Sequence, residues 1–109
     1  KKSDLSLLEL NKKSVGIKRD AFLYNTNLQV IMQTEEISKI RELLGRDDEV
    51  IELREKIQKA SEAKLESGTI SVSDLLHEVN QLDAARVTKA RHDVELMMAI
   101  YNLKNTTNN

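Results

Sequence analysis

Leu65-Glu66-Ser67-Gly68-Thr69-Ile70-Ser71-Val72-Ser73-Asp74 holds a helix stop followed at once by a helix start. Ser67-Gly68 is the stop. Glycine accepts the left-handed conformation that closes a helix, and Ile70 is placed to supply the apolar contact that accompanies such a cap. Ser71-Val72-Ser73-Asp74 is the start. It has the form of a capping box, in which a hydroxyl and a carboxylate satisfy the orphan amides of a first turn. A stop and a start this close, between amphipathic helices, make an antiparallel αα-hairpin.

On the N-terminal side, Gly16 and Gly45 are the only helix breakers between about Leu5 and Glu66. Ser6-Leu7-Leu8-Glu9 has the form of a second capping box. Ile37, Ile40 and Leu44 make one apolar run at three- and four-residue steps, and Val50, Leu53, Ile57 and Ala60 make another. The runs differ in phase across Gly45-Arg46-Asp47-Asp48. A kink or stutter is expected there, or a break with Asp47 or Asp48 as a new N-cap. On the C-terminal side, Leu75, Val79 and Leu82 form one stripe. Val87, Ala90, Val94, Met97 and Tyr101 form a second, offset by one residue. That helix is expected to end near Lys104, leaving residues 105–109 as a frayed polar tail.

The expected fold is all-α: a long antiparallel coiled-coil-like hairpin in one domain, residues 1–104. The long arm covers about residues 5–66, the tip turn 67–72 and the short arm about 72–104. Arms of roughly 60 and 32 residues measure about 90 and 48 Å. The short arm leaves an apolar stripe bare on the far half of the long one. The chain on its own should therefore oligomerise or bend.

Composition narrows the function classes. Pro and Cys are absent, and charged residues make up 32% of 109 residues, a mixture typical of long helices and coiled coils. Seventeen Lys and Arg stand against eighteen Asp and Glu, interspersed along the chain, so no basic stripe marks a nucleic-acid binder or a membrane-surface helix. No apolar run approaches the roughly 18 residues of a membrane span. Lys1-Lys2-Ser3-Asp4-Leu5 has neither an initiator Met nor a signal-peptide core, so the chain reads as a piece of a longer protein.

No residue pattern points to an enzyme, a cofactor or a metal. There is no Gly-rich phosphate loop and no nucleophile–base set. Asp74 and His77 at i,i+3, with His92 far along the chain, make too thin a ligand set. Met97, Met98 and Tyr101 read as helix packing.

The segment Asp47–Tyr101 resembles the TolC-like outer-membrane efflux proteins, in the version found in Bacteroidetes. In their second half these have a long helix ending near Y-x-x-G, a short I/V-S/T turn, then D-hydrophobic-Leu and an Ala-rich helix with a final Tyr. The matching pieces are Leu65-Glu66-Ser67-Gly68, Thr69-Ile70-Ser71-Val72, Ser73-Asp74-Leu75-Leu76 and Ala99-Ile100-Tyr101, preceded by DDEVIELREKI from Asp47. Leu5–Gly45 matches only in length and helicity.

The resemblance implies the second periplasmic hairpin of a homotrimeric export channel, the periplasmic portion of an outer-membrane protein. Its tip, Ser67, Gly68, Thr69, Ile70, Ser71 and Val72, would dock a membrane-fusion adaptor protein and, through it, an inner-membrane pump. Each tip residue also has a purely local reading: Gly68 as a cap, Ile70 and Val72 as a staple folded back on Leu65. Asp74 is the N3 acid of its helix, or an acid facing the lumen at the channel mouth. His77 stands where relatives carry a second acid, so this chain departs from a paired acidic ring there. The alternative from another class is a free-standing coiled-coil scaffold. It would form a self-contained three-helix bundle with a sharp turn at Gly45–Asp48.

Overall fold

The computed structural model describes residues 2–108, which form two helices, α1 (Lys2–Glu66) and α2 (Val72–Asn108). They pack side by side as an antiparallel hairpin. The 65 residues of α1 at 1.5 Å each give about 98 Å, and the molecule measures 99 × 17 × 16 Å. One nearly straight helix therefore accounts for the whole length.

This removes the break expected at Gly45. Neither Asp47 nor Asp48 starts a helix, and α1 runs through both. A helical glycine costs only about 1 kcal/mol relative to alanine, too little to interrupt a helix packed along one side. Asp47 has another use: its carboxylate meets His92 across the hairpin.

Both outer ends also differ from expectation. Because α1 starts at Lys2, Ser6 and Glu9 are interior residues, and Asp4 is the acid in the first turn, where the helix dipole favours it. The polar end of the chain stays helical to Asn108. Thr106 donates to the Asn102 carbonyl, and Thr107 to those of Leu103 and Lys104. These back-bonds satisfy the hydroxyls without leaving the helix.

The two helices meet along one seam with a seven-residue repeat. On α1 the covered positions step from Thr26, Val30, Gln33, Ile37, Ile40 and Leu44 onward through Asp47, Ile51, Arg54, Gln58, Ser61 and Leu65. On α2 they run from Leu75, Glu78 and Leu82 through Ala85, Lys89 and His92 to Leu96, Ala99, Leu103 and Thr106. Ile37, Ile40, Leu82 and Ser61 are the only buried side chains among the described residues. Six of these twelve α1 positions are polar, so the seam is thin as a core.

The stripe Ile37-Ile40-Leu44 lies in this seam, as do Leu75 and Leu82. The others do not. Val50 and Leu53 are 46% and 58% exposed, with Ile57 half-buried beside them. Val87, Val94, Met97 and Tyr101 are 55–70% exposed and point away from α1. A three-and-four spacing marks an apolar stripe without saying which neighbour covers it. These helices carry more than one.

The surface is correspondingly large. A compact protein of 12.4 kDa exposes about 6,100 Å², whereas this chain exposes 8848 Å². Its radius of gyration, 27.2 Å, is twice the ~13 Å of a compact domain of this length. Because α1 has 65 residues and α2 has 37, α1 outruns its partner by 28 residues, about 42 Å.

Two expectations follow from this shape. The thermal midpoint measured by circular dichroism should rise with protein concentration over two decades, because folding and association are coupled. A constant midpoint would mean that one chain satisfies its own stripes. Gly45→Ala should stabilise the chain by about 0.5–1 kcal/mol, since a Cβ there meets nothing within 4 Å. Urea titration reads this directly, and a loss of stability would point to a bend that the glycine serves.

Candidate functional site at the hairpin tip

The tip is held by two interlocking caps. Gly68 has φ +74°, and no other described residue has a positive φ. Its amide donates to the Leu65 carbonyl at 3.0 Å, and the Thr69 amide to the Lys64 carbonyl at 2.8 Å. This pair of bonds is a Schellman motif with Gly68 at the left-handed position. The Ser67 hydroxyl donates to the Lys64 carbonyl at 3.0 Å and lies 2.9 Å from Thr69 Oγ1. The stop at Ser67-Gly68 is therefore as the sequence indicated, with Thr69 closing the motif.

Three residues on, Ser71 and Asp74 bond reciprocally. The Ser71 amide donates to Asp74 Oδ2 at 3.1 Å, and the Asp74 amide to Ser71 Oγ at 3.2 Å. This is the capping box expected at that position. The Ser71 amide holds the Asp74 carboxyl below its ordinary pKa, helped by the Ser71 hydroxyl and the charge of His77. Asp74 thus serves as the N3 acid of α2. His77 lies one turn further on, exposed.

Of the two apolar tip residues, Ile70 is half-buried and Val72 is 61% exposed. Ile70 and Leu75 occupy N′ and N4 of α2, where a hydrophobic staple forms, and both are half-buried. Val72 and Leu76 (55% exposed) are left facing solvent, side by side at i and i+4. A shallow groove between the two helices near the tip is lined by Ser61, Lys64, Ile70, Asp74, His77 and Glu78. The tip therefore presents a rigid, small-residue turn with an apolar edge. A Cβ on Gly68 meets nothing within 4 Å, so its backbone angle and not local crowding demands glycine.

The structure also assembles a set of charges that motif reading did not find. Asp47 Oδ2 accepts from His92 Nδ1 at 2.5 Å, both side chains 13% exposed. Lys89 Nζ lies 2.6 Å from Asp48, Arg86 3.5 Å from Glu55 and Arg54 3.7 Å from Glu78. The Glu78 oxygen facing Arg54 is shielded from solvent and has no hydrogen-bond donor. The Asp48 hydrogen bond raises the Lys89 pKa, with the Asp48 charge adding to it. Hairpin arithmetic was the available signal. With the turn centred near residue 69, positions whose numbers sum to about 139 face each other, as 47 and 92 do.

Among the described residues no three His, Cys, Asp or Glu side chains gather as a metal site, and no helix is long and apolar enough to cross a membrane. Met97, Met98, Ile100 and Tyr101 line an apolar concavity on one helix, open to solvent. Compared with protein-family models, curated proteins and solved structures, the chain has no match.

The caps make a pH prediction with a definite sign. Because the folded Asp74 pKa is depressed, the stability it lends is complete above its ordinary value of 3.8. It is lost as pH falls through the lower folded value. Asp74→Asn should flatten that acid limb of a denaturation series while leaving neutral-pH helicity intact. An unchanged acid limb would place the titrating group elsewhere. Ser71→Ala should cost about 1 kcal/mol at pH 7.

Proposed function

We propose that this chain is a periplasmic α-helical hairpin of a trimeric TolC-like outer-membrane efflux channel. It forms part of the tunnel wall, and its tip docks a membrane-fusion adaptor protein linked to an inner-membrane pump. It acts as a structural and docking element in the export of small molecules and not as a catalyst.

One observation carries the reading: each helix has apolar stripes on more than one face, and the hairpin uses a single stripe from each. At 100° per residue, Val50, Leu53 and Ile57 lie about 110° round α1 from the seam. Val87, Val94, Met97 and Tyr101 lie about 150° round α2. A helix in the wall of a closed barrel has a neighbour on either side and needs apolar surface facing both. Soluble monomers rarely leave contiguous stripes of this kind bare.

Two further features support it. The arms are unequal, as the wall of such a channel requires of a long helix flanked by a shorter one. The turn lies at the extreme end of a 99 Å rod, where an end-on partner meets it first. The alternative, a self-contained three-helix scaffold, needs a reversal at Gly45–Asp48, and α1 runs through that point.

Antibody raised against the chain, used on fractionated cells of the source organism, tests the reading. A band several times heavier than 12.4 kDa in the outer membrane is expected. A small soluble band would sink the proposal. In the full-length protein, Gly68→Ala and Gly68→Leu impose the same left-handed strain, about 1–2 kcal/mol, but only leucine adds bulk at the tip. Gly68→Leu should leave the trimer folded while abolishing adaptor crosslinking and export, with Gly68→Ala retaining most of both. Normal export from the leucine variant would remove the docking role.

A further inference from the structure

The seven-residue repeat does not stop at the turn. On α1 one row of seam positions runs Asp47, Arg54 and Ser61, and on α2 one row runs Leu75, Leu82, Lys89 and Leu96. From Ser61 to Leu75 is fourteen residues, two whole repeats, and Gly68 falls midway. The companion row stands four residues after these positions on α1 and three after them on α2. That difference is a rotation of about 50°, spread over about four helical turns. Nothing covalent interrupts a helix here either. Ser67, Gly68, Thr69, Ile70 and Ser71 all carry amides, and the chain has no proline. Only the left-handed angle at Gly68 and the two caps divide one heptad pattern into two helices.

We infer that the tip is a conformational selector. Its caps hold the chain as a closed hairpin against an exchanged dimer, in which the tip is helical and the α2 of a second copy occupies the seam of α1. The seam itself fixes the occupant. Facing positions in the hairpin have numbers that sum to about 139, as Asp47 and His92 do. Two continuous helices packed antiparallel about a two-fold axis between residues 69 and 70 face each other by the same rule. Every seam contact of the closed hairpin is then available between copies: Asp47 to His92, Asp48 to Lys89 and Arg54 to Glu78. At the centre, Val72, 61% exposed at the closed tip, comes opposite residue 68 and joins the seam.

The balance between the two forms lies in the tip, because the seam is common to both. Closure avoids joining two chains, and its caps satisfy the backbone groups at the two helix ends. Exchange adds about one and a half turns of helix to each chain. Glycine at 68 favours closure twice over. It takes the left-handed angle without strain, and it is the poorest helix former after proline. Alanine reverses both preferences, together about thirty- to a hundredfold per tip. A dimer opens two tips, so the concentration of half exchange should fall about a thousandfold or more. The closed form is the one the channel reading uses, and the selector holds whether or not that reading does.

Because the chain has no cysteine, Asp47→Cys with His92→Cys places one thiol pair across the seam, where the native side chains touch. Oxidised at micromolar concentration, the native tip should give links within one chain, seen at 12.4 kDa in denaturing electrophoresis. Gly68→Ala with Ser71→Ala and Asp74→Ala should move the links between chains and double that mass. X-ray scattering of this tip variant without the cysteines should give a maximum dimension of about 200 Å, against 99 Å for the closed hairpin. Gly68→Asn, which accepts the left-handed angle, should keep its links within the chain. Gly68→Ala alone retains the Ser71–Asp74 box and guards against a triple variant that loses its fold. Its links should pass between chains as concentration rises. Links that stay within one chain in both alanine variants overturn the inference. So does complete interchain linkage with the native tip, or an asparagine variant that exchanges as readily as alanine.

Discussion

Two helices packed side by side can cover only one stripe of each, and that limit shapes everything else in this molecule. A single seam runs the length of α2 and buries three aliphatic side chains outright. The large apolar side chains off this seam stay mostly exposed. The excess of surface over a compact protein of equal mass is therefore a property of the architecture and not of poor packing.

Within the seam, specificity and stability come from different residues. Ile37, Ile40, Leu44 and Leu82 supply apolar contact. Polar layers between them, Asp47 with His92 and Arg54 with Glu78, tie one position of α1 to one position of α2. Such pairs add little net stability, since desolvation offsets much of their attraction. A register slip would leave those groups shielded and unpaired, so slipped alternatives are penalised. The caps at the tip set the same register from the other end. Turn geometry and cross-helix charges therefore agree on one alignment, the consistency that a single native state requires.

The fold was legible in the sequence because its decisive signals are local. A Schellman stop and a capping box depend on residues within a few positions of one another, and Gly68, Ser71 and Asp74 took the roles their types suggested. What could not be read was partnership. Val87, Ala90, Val94, Met97 and Tyr101 form as regular a stripe as Ile37, Ile40 and Leu44, yet only the latter is covered. Spacing records that a face is apolar, not what lies opposite. Gly45 misled for a related reason. A glycine weakens a helix locally, and here the seam that continues through Leu44 and Asp47 overrides it. The polar end at Asn105–Asn108 stayed helical because threonine hydroxyls found carbonyls one turn back. At the tip, the turn geometry was legible because Gly68, Ser71 and Asp74 fix it among themselves.

The turn at one end of the rod also dictates an order of assembly. Closing the five residues between the helices costs little chain entropy, and each layer added next to a closed layer costs less than one added alone. Pairing therefore propagates as a zipper from Gly68 outward, with the layers around Ile37 and Leu103 closing late. During synthesis the opposite order holds, because α1 emerges from its N-terminus. More than sixty residues of it, apolar stripes included, must wait for Ser71 and Val72 before the first cross-helix contact can form. In the cell this makes the interval before the turn is made the period of greatest exposure to aggregation and to chaperones.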